Sequence, residues 1–213
     1  MEKRKSISMA VIKRLPKYHR YLRELMDNDV DRISSKELSE KISFTASQIR
    51  QDLNCFGDFG QQGYGYNVKA LYNEISNILG LDRAYRIVIV GAGNIGQAIA
   101  NYNQFGKLGF IVEGIFDANP KLSGIQIRDI AIEDIDKLEE FLEKNNIDVG
   151  VICVPKVNAQ KVADSLMSRG IKAIWNFAPL DLDVPDDVIV ENVHLSESML
   201  TLVYLLNEKN QEG

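Results

Sequence analysis

The chain is poor in the residues that staple, ligate or catalyse. Its two cysteines, Cys55 and Cys153, stand about half the chain apart. That leaves no disulfide framework and no clustered metal site, and makes a reducing cytoplasm the expected compartment. Histidine is equally sparse, with only His19 and His194. Long apolar runs are missing too: the best, Ile87 to Val90 and Met199 to Leu206, fall well short of the ~18 residues that suggest a membrane span. The opening MEKRKSIS is charged with no apolar stretch behind it, so no secretory signal is expected. What remains is a globular composition: 213 residues, 45% hydrophobic, with a net charge of −5, enough for one large or two small domains.

The modest total conceals a division. Residues 1 to 80 hold 13 basic and 10 acidic side chains, whereas residues 81 to 213 hold 12 basic and 20 acidic. Residues 1 to 23 alone carry eight Lys or Arg and one Glu. Binding to a polyanion requires such a block, although a solvated tail reads the same way.

In the first half, Leu15, Tyr18, Leu22, Leu25 and Met26 recur at helical spacing around Pro16, which suits a first turn. Ser34-x-x-Glu37 is a capping box that predicts a second helix burying Leu38 and Ile42. Thr45-x-x-Gln48, with Phe44 placed to staple onto Ile49, predicts a third. Along that third helix Ala46, Ile49, Leu53 and Phe56 form an apolar stripe, leaving Ser47, Arg50, Gln51 and Asn54 on the opposite face. Arg can fork onto guanine, and Asn or Gln onto adenine, so this face suits the major groove; a solvated helix face looks similar. The context is more specific. The glycine-punctuated stretch Asp58 to Tyr66 reads as a hairpin tip, giving a winged helix-turn-helix plan, and a further helix from Val68 to Leu79 ends at Gly80.

The second half opens with the β-branched run Tyr85 to Val90 and, at once, Gly91-Ala92-Gly93-Asn94-Ile95-Gly96, leading into a helix predicted through Tyr102. In such a motif the first glycine permits the turn, the second lets backbone approach a pyrophosphate, and the third lets helix pack on strand. The anion then rests on helix amides. The next strand ends in Asp117, 21 residues after Gly96, where an acid binds ribose hydroxyls and repels a 2′-phosphate, favouring NAD(H) over NADP(H). A helix from Asp134 to Lys144, a strand from Val149 to Val154, a helix from Asn158 to Arg169 and a strand from Ala173 to Phe177 complete an alternating, Rossmann-like parallel-sheet pattern. Ligands lie beyond the carboxyl ends of such strands. Val154-Pro155 and Asn176 to Pro179 are therefore expected beside the nicotinamide end, though either turn could equally be structural.

Neither histidine falls at a predicted strand end, and little chain is left for a substrate domain, so no catalytic residue is expected. A helix from Ser196 to about Asn207 is apolar nearly all round, so a partner subunit is expected to cover it. Three readings remain: a cofactor-responsive DNA-binding protein, an NAD-dependent oxidoreductase with a small accessory domain, and a nucleotide-binding domain for a ligand such as coenzyme A.

The segments KRLPKYHRYL (Lys13 to Leu22), Ser34 to Val68, IVIVGAGNIGQAIANY (Ile87 to Tyr102), GIFDANP (Gly114 to Pro120) and NFAP (Asn176 to Pro179) resemble the Rex family of redox-sensing repressors over essentially the whole chain. The resemblance implies a winged-helix domain over residues 1–80, a Rossmann NAD(H)-binding domain over 81–194, and a C-terminal helix, 195–213, exchanged within a homodimer. It implies a cytoplasmic repressor, not an enzyme, that leaves a palindromic DNA operator when NADH rises relative to NAD⁺. The DNA-facing candidates are Lys13, Thr45, Ser47, Gln48, Arg50, Gln51, Asn54, Gln62 and Tyr64. The cofactor candidates are Gly91, Ala92, Gly93, Asn94, Ile95, Gly96, Tyr102, Asp117, Val154, Pro155, Asn176 and Phe177, with Phe105 and Leu195 added as pocket lining. Neither a metal nor a membrane is implied. The chain departs from the family pattern at Gln51, Cys55, Gln61 and Gln62. It also has His194 where relatives often carry an acid that engages the arginine here numbered Arg14, which implies an altered response to NAD⁺.

Overall fold

In the computed structural model, residues 7–57, 59–61 and 64–211 are described. The chain divides into two compact units, one ending at Arg83 and the other beginning at Ala84.

The first unit is helical with a small sheet. Ser8 caps α1 (Met9–Ile12), and Pro16 stands in the first turn of α2 (Leu15–Asp27), where its missing N–H costs nothing. A two-residue strand β1 (Arg32–Ile33) leads to α3 (Ser35–Lys41). Its capping box forms in both directions: Ser34 takes the Glu37 N–H at 3.1 Å, and Glu37 takes the Ser34 N–H at 2.7 Å. Thr45 caps α4 (Ala46–Asn54) by accepting the Gln48 N–H at 3.2 Å. The wing strands β2 (Gly60–Gln61) and β3 (Gly65–Asn67) pair antiparallel, and β1 adds to β3, giving the order β1-β3-β2. Gly65 has φ +69, and a Cβ there would stand 2.6 Å from the Ile33 carbonyl oxygen, so the strand junction requires glycine. Helix α5 (Val68–Ile78) closes the unit and is terminated by Gly80 at φ +74. The helices bury Leu15, Tyr18, Leu22, Leu38, Ile49, Leu53, Leu71 and Ile75 in one core.

The second unit is a seven-stranded sheet of order β10-β9-β8-β4-β5-β7-β6, parallel except for β6. Its elements in chain order are β4 (Tyr85–Val90), α6 (Asn94–Ala100), α7 (Gln104–Lys107), β5 (Phe110–Asp117), β6 (Gln126–Ile127), β7 (Ile130–Asp134), α8 (Leu138–Lys144), β8 (Val149–Ile152), α9 (Lys156–Ser168), β9 (Ala173–Asn176), β10 (Ile189–Asn192) and α10 (Leu195–Gln211). One face packs with α8 and α9 around Val88, Val90, Phe116, Leu142, Ile152 and Leu166. The opposite face packs Ile87, Ile89, Ile115 and Val151 against Ile99 and Ala100 of α6. Strand β4 lies between β5 and β8, so the chain order reverses there and the crevice beyond its carboxyl end is the sheet's switch point.

Several boundaries differ from those predicted. The helix after the glycine motif stops at Ala100, leaving Tyr102 beyond it. Asp134 belongs to β7 and caps a short 3-10 turn before α8, instead of opening a helix. Strands β8 and β9 end at Ile152 and Asn176, and α10 runs on to Gln211. Among the described residues, no helix is long and apolar enough to cross a membrane.

Candidate functional site

Helix α4 presents Ser47, Arg50, Gln51 and Asn54 to solvent, with the Thr45 cap exposed and Gln48 half-buried. These are the side chains predicted for that face, and the structure keeps them together. Arg50 is braced: its Nη1 donates to Ser35 Oγ on α3 at 2.7 Å, leaving four of its five N–H donors to point elsewhere. Lys13 is exposed at the end of α1, and Tyr64 is 71% exposed beside β3. Gln62, with Asp58 and Gly63 of the wing, lies outside the described residues.

The hidden face of α4 carries a group that the periodicity argument passed over. Asp52 is buried, and its carboxylate accepts from Arg14 Nε at 2.6 Å, Arg14 Nη2 at 2.8 Å and the Tyr18 hydroxyl at 2.7 Å. Burial first, and then the bond to Asp52, push the Tyr18 phenol well above its usual range. The hydrogen bond to Asp52 is the main reason that the Arg14 guanidinium holds its proton still more firmly. A signal was present in the sequence: 49, 52, 53 and 56 follow i, i+3, i+4, i+7, so a carboxylate at 52 falls within the apolar stripe and needs a buried cation.

In the second unit, the three glycines of the motif meet three different constraints. Gly91 has φ +100, and a Cβ would lie 2.6 Å from the Cys153 carbonyl, so the turn nests against the neighbouring strand end. Gly93 faces open space, with nothing within 4 Å of a Cβ. At Gly96 a Cβ would sit 1.9 Å from the Gly91 carbonyl oxygen, which fixes helix against loop. Gly93 begins α6 with no side-chain cap, while Asn94 is exposed and Ile95 half-buried.

Asp117, at the end of β5, is tied to this loop. Its Oδ2 accepts the Ala92 N–H at 2.6 Å, and its Oδ1 accepts the Asn119 N–H at 2.7 Å. The Ala92 carbonyl accepts in turn from Gln97 Nε2 at 2.7 Å. Ala92 is fully buried with both backbone groups engaged, so it shapes the loop and offers no N–H to a ligand. Gln97 escaped the motif reading because it occupies a variable position after the last glycine.

The other strand-end residues play unequal parts. Asn176 is fully buried, donating to the carbonyls of Ala178 and Leu180 and to Asn192 Oδ1, and accepting the Ala178 N–H. Its side chain therefore braces the Asn176 to Pro179 turn, the structural one of the two roles open to it. Val154 packs onto the core, and Pro155 is exposed ahead of α9. The Cys153 thiol beside them is pushed up to about 12 by burial, which disfavours the thiolate. Tyr102 is 53% exposed and meets Phe105 edge to face at 4.8 Å. Phe105 meets Trp175 at 5.7 Å, and Trp175 meets Phe177 at 4.6 Å. Trp175, not singled out in the sequence, thus links the predicted aromatic residues; strand alternation places it on the face of Phe177. Leu195 instead lies exposed at the start of α10.

Near that helix start a cleft of about 410 Å³ is lined by Lys156, Pro179, Leu180, Asp181, His194, Ser196 and Glu197. His194 Nδ1 lies 2.8 Å from Glu197 Oε1, and that bond, more than the weaker pull of Asp181, raises the imidazole pKa. His194 and Arg14 thus each have an acidic partner within their own unit. Along α10, Leu195, Met199, Leu200, Leu202, Val203, Tyr204, Leu205 and Leu206 are all 45% or more exposed. Among the described residues no three His, Cys, Asp or Glu side chains gather to hold a metal ion.

A winged-helix unit with a polar recognition face, carried by the same chain as a parallel sheet with a glycine-cornered switch point, defines a DNA-binding regulator with a nucleotide-sensing domain. Comparison with known proteins narrows the class. A family model described as "CoA binding domain" matches residues 82–180, and one described as "Putative DNA-binding protein N-terminus" matches residues 6–54. The redox-sensing transcriptional repressor Rex of Clostridium perfringens strain SM101 is 74% identical over 210 residues, covering 99% of each chain. Crystal structures of RSP, a Rex-family repressor, superpose closely. The complex with β-NAD⁺ and operator DNA has a TM-score of 0.90 at 63% identity, covering 97% of this chain and 95% of that one. The complex with β-NADH has a TM-score of 0.89 at 60% identity, covering 97% of both. The chain belongs to the Rex family of redox-sensing transcriptional repressors.

Proposed function

We propose that this protein is a repressor that holds a palindromic operator through its first 80 residues and releases it when NADH occupies residues 81–194. The observation that carries the cofactor half is the Asp117 carboxylate locked to the Ala92 amide at 2.6 Å, beside a Gly93 that faces open space. Such a corner admits a pyrophosphate over Gly93, Asn94 and Ile95 and gives a ribose an anionic acceptor in Asp117. A 2′-phosphate would meet that charge, as would the 3′-phosphate of coenzyme A, so NAD(H) fits better than either alternative despite the name of the matching family model. Gly91 and Gly96 shape this corner with Ala92, while Val154, Pro155, Asn176 and Phe177 border its nicotinamide end with Tyr102.

NAD⁺ and NADH differ by a charge on the nicotinamide ring, and desolvation of that ring against the half-buried apolar side chains of Phe105, Trp175 and Phe177 favours the neutral form, because an uncompensated charge is costly to desolvate. Moving a regulator from 99:1 DNA-competent to 1:99 takes ~5.5 kcal/mol of differential affinity, which two cofactor sites in a dimer would share. The exposed apolar surface of α10 suits a homodimer with this helix exchanged between subunits, which sets two α4 helices against two half-sites. Lys13 and the wing residues Gln62 and Tyr64 would contact the DNA backbone. Thr45, Ser47, Gln48, Arg50, Gln51 and Asn54 would read the bases. The nucleotide is a sensed ligand, not a turned-over substrate, and the protein works in the cytoplasm. A mobility shift on palindromic duplexes with NADH, NAD⁺ or neither tests this reading. Release by NADH alone is expected, and a chain that shifts no duplex defeats it.

A further inference from the structure

The buried charge on α4 has no place in direct readout, since Asp52 points away from Ser47, Arg50, Gln51 and Asn54 into the core. The surrounding contacts, from Leu15, Leu22, Ile49 and Leu53, are apolar and non-directional. On this buried side they seat α4 in the shared core without fixing its rotation, while Arg50 adds a directed bond from the exposed face to Ser35 of α3; a cluster of aliphatic side chains would stabilise the unit at least as well as a buried ion pair. The carboxylate is different in kind. It takes three directed bonds from α2 and its cap: two in a bidentate fork from Arg14, at 2.6 and 2.8 Å, and one from Tyr18 at 2.7 Å. At the other end of α4, Phe44, just before the cap, packs edge to face on Tyr18 at 5.8 Å, with the Arg14 guanidinium 5.8 Å from its ring centroid. One pair of residues on α2 and its cap therefore grips both ends of the recognition helix.

Building on the repressor reading above, we infer that Arg14, Asp52 and Tyr18 are positioning residues that fix the rotation of α4 and so set which operator sequence it reads. Arg14 directly follows Lys13, a candidate phosphate contact, so the clamp registers the backbone-holding segment against the base-reading helix. Phosphate contacts carry affinity without sequence information, whereas base contacts are lost when a helix turns by more than ~10–20°. Loosening the clamp should therefore lower discrimination and leave non-specific affinity in place.

The test uses the full chain and a palindromic duplex that the wild type selects from a randomised pool, with a scrambled duplex as control. The double variant Arg14→Met with Asp52→Leu removes the half-buried cation and the buried carboxylate together, and Arg14→Lys keeps the charge but loses the fork. The readouts are the thermal midpoint, the affinity for each duplex and the salt dependence of each. We expect a folded double variant whose ratio of selected to scrambled affinity falls by ~10-fold or more, with scrambled affinity and salt slope unchanged. Arg14→Lys should lower the ratio in the same direction, and decides the matter if the double variant does not fold. A folded variant that keeps the wild-type ratio, or loses both duplexes equally, overturns the positioning role while the repressor reading stands. A wild-type chain that selects no duplex overturns that reading and this one with it.

Discussion

Replacing Asp117 by Asn is the sharpest probe of the cofactor corner, because it keeps the side chain's shape and alters its charge. In the wild type one oxygen holds the Ala92 amide at 2.6 Å and the other holds the Asn119 amide at 2.7 Å. Asn retains one acceptor, so one of these bonds is lost, and any ribose hydroxyl loses its charged partner. A hydrogen bond to a charged group contributes ~1.5–3 kcal/mol, so NADH should bind ~10- to 100-fold more weakly. The effect on a 2′-phosphate has the opposite sign. Two charges ~5 Å apart repel by about 3 kcal/mol at an effective dielectric of ~20 and by under ~1 kcal/mol in bulk water. Removing one should shrink the preference for NADH over NADPH by ~10-fold or more. Trp175 is the chain's single tryptophan and stands within the aromatic series, so quenching of its emission reports occupancy by either nucleotide. Unchanged NADH affinity together with an unchanged preference over NADPH would refute the assignment of Asp117 to the ribose.

Other perturbations separate the two units. Arg50→Ala should cost ~1–3 kcal/mol of operator binding and relax specificity at one base pair, with NADH titration unaltered; equal loss on scrambled DNA would make Arg50 a phosphate contact instead. His19 is buried against Tyr72 at 4.5 Å with Nε2 3.1 Å from Ser76 Oγ, and burial, aided by Arg23, lowers its pKa. The unfolded chain then binds the proton more readily. The stability that neutral His19 supports is complete above pH ~6.5 and is lost as pH falls below that value through the lowered folded-state pKa. His19→Gln should flatten this acid limb of the thermal midpoint, and an unflattened limb would place the titration elsewhere. Leu202→Glu with Leu206→Glu on α10 should convert a dimer to monomers in sedimentation and weaken operator binding, since both side chains are at least 55% exposed; a persistent dimer would move the interface off this helix.

The sequence disclosed most where the physics is local. Helix caps at Ser34 and Thr45, the turn at Gly80 and the Gly91 to Gly96 corner each need particular residues at fixed offsets, and each is where the spacing predicted it. What it concealed depends on partners far along the chain. Asp52 was read past because a charge on a helix is ordinarily outward, and it is tolerable inside because Arg14 and Tyr18, 38 and 34 positions earlier, bond to it. Strand β6 has only two residues and β10 is exposed along most of its length, so neither shows a periodicity of its own, and pairing with β7 and β9 holds them. Asn176 could be placed at a strand end from sequence, but its role as a brace required Leu180 and Asn192 to be seen around it.

The central claim is that NADH and operator DNA compete through two states of one chain, and reciprocity tests it most directly. NADH affinity, measured by Trp175 quenching with and without saturating operator duplex, should fall by the same factor by which saturating NADH weakens operator binding, with NAD⁺ giving a much smaller factor. Identical NADH affinity in the presence and absence of operator would contradict the account.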